Sequence, residues 1–364
     1  MPRVVLAMSG GVDSSASAVL LMRQGYDVVG LFMRTGVDHP GDHTAGRPDR
    51  KKGCCSAVDA GDARRVADRL DIPFHTLDFE AEFGRVIDYF VDEYARGRTP
   101  NPCVVCNTWL KFGQLWTFAQ GLGADFIATG HYAQVVDGPD GTELHRGADP
   151  EKDQSYVLHG IKREVLPHLL FPVGGRQKRD IRELAREAGL GAMADKPDSV
   201  EICFVPGGDH TEVVRRRRPE VARPGVVRER DGTVLGAHDG IDRFTVGQRK
   251  GLGLGGGRKR FVLELLPDTN EVVVGDEVEL LSDGLVASGM NWLAAVPTDA
   301  RNCTAKIRYR HAAVPATVTA SADGGAVVRF ASAQSAVTPG QAVALYDGPR
   351  LLGGGWIDRA VLDG

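Results

Sequence analysis

Short apolar runs alternate with amphipathic stretches along the first half of the chain. Four runs have the length of buried strands: RVVLAM, DVVGLFM, FHTLDF and DFIATG. Three stretches have helical periodicity: SSASAVLLMRQG, AVDAGDARRVADRLDI and KRDIRELAREAGL. Gly25 and Gly189 close the first and the last of these. This order predicts an α/β domain, a parallel sheet with helices on both faces that binds its ligands at the carboxyl ends of the strands.

The pattern changes near residue 206, where helical periodicity fades and Gly, Pro and β-branched residues increase. PGVVRERDGTVLG predicts a hairpin with an Asp-Gly turn. TAKIRYR, ATVTASADGGAVVRF and AVALYDGPRLLGGGWI predict short antiparallel strands. We therefore expect an α/β domain over 1–205, a small β-rich central domain over 206–278 and a C-terminal β-barrel over 279–364. The polar segment 36–52 predicts a mobile loop.

Composition is that of a globular protein, with 364 residues, 42% hydrophobic and 25% charged. No apolar span of membrane length and no signal-peptide pattern occur, so we expect a cytoplasmic protein with reduced thiols. The net charge is −4, yet segment 206–262 carries 13 Lys/Arg against 7 Asp/Glu. This basic segment indicates a docking surface for a polyanion, whereas Arg215 to Arg218 alone fit a solvated helix face equally well.

The stretch SGGVDSS, Ser9 to Ser15, follows the first predicted strand and opens the first predicted helix. Its glycines let backbone N–H groups approach an anion, and the serine hydroxyls can donate to phosphate oxygens. Asp13 in such a site indicates a Mg²⁺ ion. No lysine follows as in GK[ST], which disfavours γ-phosphate transfer. The stretch resembles the pyrophosphate loop, or PP-loop, of ATP pyrophosphatases, which cleave between the α- and β-phosphates.

Cys103 and Cys106 lie three positions apart in TPNPCVVCNTWLKFG. A structural zinc site needs four ligands, and the prolines and asparagines fit a thioredoxin-like redox pair poorly. Cys106 precedes a predicted helix, NTWLKFGQLWTFAQGL, whose N-terminus would lower its thiol pKa with help from Lys111. We interpret Cys106 as a nucleophile or an acid/base group.

The other four cysteines differ in setting. Cys203, in DSVEICFVPGG, has apolar neighbours that fit a buried thiol and adjacent glycines that fit a thiol able to move. Cys303 lies in a predicted strand and is expected to be packed. Cys54 and Cys55 are adjacent, a poor chelating geometry, and have no assigned role.

Six motifs together are similar to those of the tRNA-specific 2-thiouridylases, which place sulfur on C2 of the wobble uridine: SGGVDSS, GRTPNPCVVCN followed by KF, ATGHYA, KDQSYVL, EICF and FTVGQRKGLG. The resemblance covers essentially the whole chain. It implies a PP-loop domain, a small central domain and an elongation-factor-like barrel. It also implies ATP and Mg²⁺, a tRNA anticodon loop, a persulfide-donating protein and a monomeric state.

The resemblance assigns site residues by motif. Cys106 is the implied catalytic thiol and Cys203 the implied persulfide carrier. The implied ATP contacts are Ala7, Met8, Ser9, Gly10, Gly11, Val12, Asp13, Ser14, Met33 and Gly130. The implied contacts with tRNA are Asn101, Pro102 and Cys103 at the target base, and His131, Lys152, Asp153, Gln154, Arg308, Tyr309 and Gln341 elsewhere.

Many family members have aspartate at the position of Cys103. Three cysteines, Cys103, Cys106 and Cys203, could instead hold an iron–sulfur cluster with one open iron. Two rival functions keep the same loop: an amide-forming synthetase acting on a small molecule, and a nucleotide-gated RNA-binding protein without catalysis.

Overall fold

A computed structural model describes residues 1–37, 57–198, 202–255 and 257–362. The chain divides into two compact units. The first comprises residues 1–86, 103–208 and 349–351, and the second comprises 87–102, 209–348 and 352–364. Most of the predicted loop 36–52 lies outside the described residues, and so do Cys54 and Cys55.

The first unit contains a five-stranded parallel sheet of order β3-β2-β1-β4-β7, together with an antiparallel hairpin, β5–β6. Its strands are β1 Arg3–Ala7, β2 Asp27–Arg34, β3 Phe74–Asp78, β4 Phe126–Ala128, β5 Ala133–Gly138, β6 Gly141–Arg146 and β7 Leu169–Leu170. The four predicted strands are confirmed as β1 to β4. The parallel sheet of the predicted α/β class is therefore present.

Helices follow the strands as expected for a doubly wound fold. They are α1 Val12–Arg23, α2 Ala57–Leu70, α3 Glu80–Ala95, α4 Pro102–Val105, α5 Leu115–Gly121, α6 Lys178–Glu187 and α7 Gly191–Ala194. A π-helical stretch, Cys106–Gln114, joins α4 to α5, and short 3-10 turns span Ser155–Leu158, Arg163–His168 and Pro206–Gly208. Apolar side chains of β1, β2, α1 and α6 share one core, represented by Leu6, Phe32, Leu21 and Ile181. Helix α3 was not predicted from the sequence.

The second unit begins its long segment with α8, His210–Arg217. A four-stranded sheet of order β10-β11-β8-β9 follows, with short turns at Pro219–Val221 and Ile241–Arg243. Its strands are β8 Gly225–Arg228, β9 Val234–His238, β10 Phe261–Leu266 and β11 Glu271–Gly275. Strands β8 and β9 are antiparallel and form the predicted hairpin.

A closed six-stranded barrel completes the second unit, because β12 pairs with both β15 and β17. Its order is β12-β15-β14-β13-β16-β17. The strands are β12 Leu281–Trp292, β13 Arg301–Lys306, β14 Val314–Ala320, β15 Ala326–Ser335, β16 Ala342–Asp347 and β17 Arg350–Val361, preceded by a turn at Glu277–Leu280. The predicted barrel is confirmed.

The boundaries near 206 and 279 stay a prediction, since the two compact units place residues 87–102 with the chain after 208. The strand predicted to run through Arg310 ends at Lys306. Among the described residues, no helix has both the length and the apolar character needed to span a bilayer.

Each arginine of the run Arg215 to Arg218 forms ion pairs inside the second unit. Arg215 binds Asp242 and Asp239, and the other three arginines pair with Glu212, Asp88 and Asp92 respectively. Asp242 is fully buried and accepts from Arg215 Nε at 2.8 Å and Nη2 at 3.2 Å. This run is therefore largely a structural element, which narrows the basic surface available to a polyanion.

Arg215→Met should lower the free energy of unfolding by about 3 kcal/mol, because it leaves the buried Asp242 carboxylate without its cation. Arg216→Met is the matched control: both partners of its pair with Glu212 are about 70% exposed or more, so we expect a change below about 0.5 kcal/mol. Urea denaturation followed by tryptophan fluorescence measures both. Equal effects of the two substitutions would contradict this assignment.

Candidate active site

The predicted phosphate loop lies at the carboxyl end of β1, a central strand of the parallel sheet. Ala7 ends the strand, and the buried Met8 donates its N–H to the Leu31 carbonyl at 2.8 Å. Gly10 has φ +69°, and a Cβ there would lie 2.4 Å from the carbonyl oxygen of Asp59. Only glycine fits this close approach, which fixes the path of the loop before α1 begins.

The loop serines bond to the loop itself. Ser14 Oγ accepts from the Ser9 N–H at 3.2 Å and donates to the Gly11 carbonyl at 3.1 Å. Ser15 Oγ donates to the same carbonyl at 2.8 Å, and its side chain is fully buried. Ser15 therefore stabilises the loop from inside, while Ser9 is exposed.

Asp13 lies in the first turn of α1, and its carboxylate has two partners from elsewhere in the chain. Lys178 Nζ is 2.8 Å from both carboxylate oxygens, and Tyr132 donates its hydroxyl to Oδ1 at 2.8 Å. The Lys178 side chain is only 11% exposed. Burial, with the neighbouring Asp13 carboxylate next, raises the pKa of Tyr132, which keeps its hydroxyl a donor.

Asp198 extends this network. Its carboxylate accepts from Lys178 and Lys152, each at 2.9 Å, and from Arg182 at 2.8 Å. Burial alone would raise the pKa of Asp198, but hydrogen bonds from the two lysines outweigh burial and hold the pKa below its usual range. Since Asp198 is five positions before Cys203, the network connects the phosphate loop to the segment that leads to this cysteine.

A second lysine reaches the loop from the same segment. Lys196 Nζ donates to the Gly10 carbonyl at 3.0 Å, to Asp59 at 2.6 Å and to Asp62 at 2.8 Å. Burial opposes its charge, but hydrogen bonds to the two aspartates hold the Lys196 pKa above its ordinary value. Lys196 thus ties the loop backbone to α2.

Gly130 packs directly on the phosphate loop. A Cβ at this position would lie 2.9 Å from the Asp13 carbonyl carbon and 2.9 Å from the Ser14 nitrogen. The structure therefore brings Gly130 together with the first turn of α1, where Val12 is buried. Met33, half-buried, lies near the end of β2.

The Lys-Asp-Gln segment supports neighbouring loops. Asp153 is 7% exposed and accepts from the backbone N–H groups of Gly147 at 3.1 Å and Ser155 at 3.0 Å. Gln154 Oε1 accepts from the Tyr132 N–H at 2.9 Å. Lys152 is engaged by Asp198, as described above. The predicted contacts of these three residues with tRNA stay a prediction.

His131 is 7% exposed, with Nδ1 2.6 Å from the Thr129 hydroxyl. Its ring lies 6.0 Å from that of Phe112 and 5.9 Å from that of Phe171, measured between centroids. Burial, with the nearby Lys111 charge second, holds the His131 pKa well below its ordinary value. His131 is therefore a neutral ring at physiological pH, and its contact with tRNA stays a prediction.

The cysteine-bearing helix begins earlier than the sequence suggested. Pro102 opens it, and Cys106 is the first residue of its π-helical stretch. The prediction that Cys106 lies just before a helix N-terminus is wrong, because Pro102 is well suited to start a helix four residues upstream. Cys103 is exposed and Cys106 is partly buried. π-Helical stretches are rare and often occur at functional sites.

Cys203 is partly buried in a turn closed by the Val205 N–H to the Ile202 carbonyl at 2.9 Å. Phe204 anchors this turn with its ring edge-to-face on Phe83, 5.7 Å between centroids. Gly207 and Gly208, at φ +78° and +77°, follow it. Phe204, the residue after the cysteine, is therefore fixed by packing. The two glycines beyond it adopt left-handed backbone conformations.

Five of the predicted tRNA contacts are in the second unit: Asn101, Pro102, Arg308, Tyr309 and Gln341. Arg308 donates to the carbonyls of Ser335 and Ala336, the latter at 2.6 Å. Tyr309 is 43% exposed. Gln341 Nε2 donates to the carbonyls of Thr99 and Pro100, each at 3.2 Å, just before Asn101. Cys303, on β13, is packed as expected, and burial raises its pKa to about 11.

Several site residues were missed from the sequence: Lys178, Lys196, Asp198, Arg182 and Tyr132. Tyr132 lies inside the motif ATGHYA and Asp198 directly precedes SVEICF. These positions could have identified both residues as site candidates from the sequence. The two lysines occur in ordinary charged stretches, and nothing in the local pattern distinguishes them.

Comparisons with known proteins agree with this geometry. Three family models match: "tRNA methyl transferase HUP domain" over 2–207, "tRNA methyl transferase PRC-barrel domain" over 212–276 and "Aminomethyltransferase beta-barrel domain" over 282–357. Proteins named tRNA-specific 2-thiouridylase MnmA are similar along their length. The one from Rhodopirellula baltica is 48% identical, over 99% of this chain and 97% of the relative. Those from Rhodospirillum centenum and Geotalea uraniireducens are 50% and 49% identical, over 98% and 99% of this chain and 92% and 96% of the relatives.

The parallel sheet with its glycine loop defines a HUP-type domain, here joined to a PRC-barrel domain and a β-barrel domain. With nearly half of its residues identical to these relatives over almost their full length, the chain belongs to the family of tRNA-specific 2-thiouridylases.

Acid should destabilise the first unit through its buried histidines. Burial lowers the His159 pKa to about 4 and the His131 pKa well below 6.5. The folded state therefore binds these protons less readily than the unfolded state. The contribution of these histidines to the free energy of unfolding is fully present above about pH 6.5. It falls as the pH drops towards 4, by up to about 1.4 kcal/mol per pH unit for each histidine.

Urea denaturation at several pH values measures this slope. His159→Leu should reduce the pH dependence of the free energy of unfolding between pH 6.5 and 4 by the equivalent of one bound proton. His75→Leu, at an exposed position, controls for loss of a histidine. A slope unchanged by His159→Leu would contradict the prediction.

Proposed function

We propose that this protein replaces the C2 oxygen of the wobble uridine in tRNA with sulfur from a cysteine persulfide, giving 2-thiouridine, AMP and pyrophosphate. The chain matches the 2-thiouridylases over almost their full length, which supports tRNA as the substrate. The observation that carries the proposal is the phosphate loop at the end of β1, tied by Lys196 and by the Asp13–Lys178–Asp198 network to the segment before Cys203.

ATP supplies the adenylyl group that turns a poor leaving oxygen into part of AMP. The loop N–H groups at the start of α1 bind phosphate oxygens. Gly10 and Gly130 keep the loop backbone in its position, because a Cβ at either residue would collide with the backbone packed against it. We assign the ATP contacts Ala7 to Ser14, Met33 and Gly130 on this basis. Lys178, beside Asp13, supplies positive charge where the pyrophosphate departs.

The cysteines transfer the sulfur from Cys203 to C2 of the uridine in two steps. The terminal sulfur of a Cys203 persulfide bonds to C2 and the C2–O bond breaks, so AMP leaves. The Cys106 thiolate then attacks Sγ of Cys203, a Cys106–Cys203 disulfide forms and the thiocarbonyl sulfur stays on the base. Alternatively, Cys106 attacks first and the released hydrosulfide bonds to C2. Either order oxidises both cysteines, and an external thiol must reduce them before the next cycle.

The residues at the loop fit Mg²⁺, which usually takes one or two carboxylates together with substrate phosphates. Asp13 is the carboxylate that would hold the ion, and the ion would neutralise phosphate charge. The cysteines do not fit an iron–sulfur cluster, since within the described ranges no three His, Cys, Asp or Glu side chains are grouped as a metal site requires. No step is assigned to a cluster.

A flipped anticodon-loop base suits this reaction, because C2 is unreachable in a stacked helix. We assign contacts with the target base to Asn101, Pro102 and Cys103. Contacts with the rest of the tRNA are assigned to the other predicted residues: His131, Lys152, Asp153, Gln154, Arg308, Tyr309 and Gln341. In the basic segment, Arg249, Lys250 and Lys259 are exposed and form no ion pair with another described residue. They are the side chains best placed to bind phosphates. A persulfide-bearing protein supplies the sulfur to a monomeric enzyme.

Nucleoside mass spectrometry of tRNA incubated with the protein, ATP, Mg²⁺ and a persulfide donor tests this function. We expect 2-thiouridine with the wild type and with Cys303→Ser, and at least a hundredfold less with Cys106→Ser or Cys203→Ser. If ATP is instead split to AMP in the presence of a small-molecule substrate, and both cysteine variants keep that activity, the amide-forming synthetase is favoured. Tight tRNA binding without ATP cleavage would favour a non-catalytic RNA-binding protein.

Lys178→Met should slow tRNA-dependent pyrophosphate release by about 10²- to 10³-fold, the usual cost of losing one charge-stabilising donor at a reacting centre. Lys162→Met is the matched control, because Lys162 is 74% exposed and 3.9 Å from Glu164. Pyrophosphate release at saturating ATP measures the effect, and Lys178→Arg should restore part of the rate. A Lys178→Met enzyme with wild-type release would refute the assignment.

A further inference from the structure

The helix that carries Cys106 changes its hydrogen-bond geometry at this residue. The turn up to Val105 is α-helical, and a π-helical stretch runs from Cys106 to Gln114. At its end the Leu115 N–H donates to the Leu110 carbonyl, five residues earlier instead of four. Because π-helices are rare and α-helical bonding is the usual alternative, we expect contacts outside the helix to hold this stretch in its geometry.

Asn107, the residue after Cys106, makes such a contact. Its side chain is 2% exposed, and its Nδ2 donates to the Val157 carbonyl at 3.0 Å. Its other amide atom, Oδ1, is buried and has no hydrogen-bond partner among the described residues. A buried acceptor without a partner lowers stability, so stability alone does not account for an amide at this position.

The acceptor of this bond belongs to a well-fixed part of the same compact unit. Val157 lies in the buried 3-10 turn Ser155–Leu158. The first residue of the turn donates its N–H to the Asp153 carboxylate at 3.0 Å. The Ile161 N–H donates to the carbonyl of its last residue at 3.1 Å. The turn is therefore held on both sides of the carbonyl that Asn107 binds.

Thr108 joins the π-helical stretch to the α-helical turn before it. Its Oγ1 donates to the Val104 carbonyl at 2.9 Å, so this bond spans Cys106. The Gly160 backbone packs so closely on Thr108 that a Cβ at Gly160 would collide with the threonine hydroxyl. Both residues that follow Cys106 thus contact the chain just after Asp153.

We propose that Asn107 is a positioning residue for Cys106: its buried bond to the Val157 carbonyl holds the π-helical geometry that sets the burial and direction of the thiol. This inference rests on the proposed function, in which the Cys106 thiolate attacks a sulfur of Cys203. An attacking thiolate must be within reach of its target and aligned with the breaking bond. A small rotation of the helix therefore slows sulfur transfer without weakening substrate binding.

Asn107→Leu removes the amide donor and replaces it with a side chain of similar size. The matched control is Gln134→Met, because Gln134 is in the same unit and its Nε2 also donates to a main-chain carbonyl, that of Arg146, at 2.9 Å. Thr108→Val is a milder second variant, which loses only the hydroxyl bond across Cys106.

Two kinds of measurement are made on each variant. The first comprises kcat for thiolation, KM for ATP and the tRNA dissociation constant. The second is the rate at which iodoacetamide alkylates Cys103, Cys106 and Cys203, resolved by tandem mass spectrometry. Alkylation is carried out at about pH 9.5, where accessible thiols are mostly ionised, so that its rate reports the accessibility of each thiol.

For Asn107→Leu we expect kcat to fall about tenfold and alkylation of Cys106 to accelerate about fivefold, because the partly buried thiol loses its fixed position. KM for ATP, tRNA binding and alkylation of Cys103 and Cys203 should stay within about twofold, since the substrate contacts and the other thiols are unchanged. Thr108→Val should change kcat and Cys106 alkylation in the same directions by about threefold. Gln134→Met should behave as the wild type.

Equal acceleration at Cys106 and Cys203 in Asn107→Leu would indicate a general loosening of the unit and would overturn the proposal. Wild-type kcat together with wild-type alkylation would overturn it as well. If Asn107→Leu does not fold, Thr108→Val decides, and unchanged Cys106 alkylation in that variant counts against the proposal. If the wild type makes no 2-thiouridine, the proposed function fails, whereas the alkylation contrast still decides whether Asn107 positions the thiol.

Discussion

The carboxylate of Asp13 is the contact on which the arrangement of the first unit depends. It lies in the first turn of α1, where the helix dipole already favours negative charge. Lys178 from the start of α6 and Tyr132 from the loop before β5 both bind it. Because three distant parts of the chain meet at this one side chain, the sheet edge, the phosphate loop and α6 are fixed relative to one another within the same unit.

A partly buried ion network of this kind contributes little net stability, since the cost of removing charges from water nearly cancels their attraction. Its value lies in specificity of position. Asp198 accepts from Lys152, Lys178 and Arg182, so the charges around it are compensated only when these side chains are all in place. An incoming polyphosphate would compete with Asp13 and Asp198 for the same cations.

The sequence predicted the features that depend on local pattern. Apolar runs of strand length and glycines at helix ends defined β1 to β4, α1 and α6, and the Ser-Gly-Gly loop identified the phosphate site. It could not predict contacts set by tertiary structure. Lys178 is 165 positions from Asp13 and Gln341 is 242 from Thr99, and no local pattern marks either pair. The start of the cysteine helix was misplaced as well: the sequence prediction began the helix at Asn107, whereas Pro102 is its first residue.

The two cysteines of CVVC illustrate why spacing alone did not decide their chemistry. Three positions apart in a helix, they would lie on one side of it, as a redox pair does. In the structure the helix changes from α to π geometry at Cys106, which alters the angular relation of the residues on either side. Cys103 is exposed and Cys106 is partly buried, so the two thiols differ in environment although they are neighbours. The spacing of the two cysteines in the sequence therefore does not determine the environment of either thiol, which depends on the tertiary structure around it.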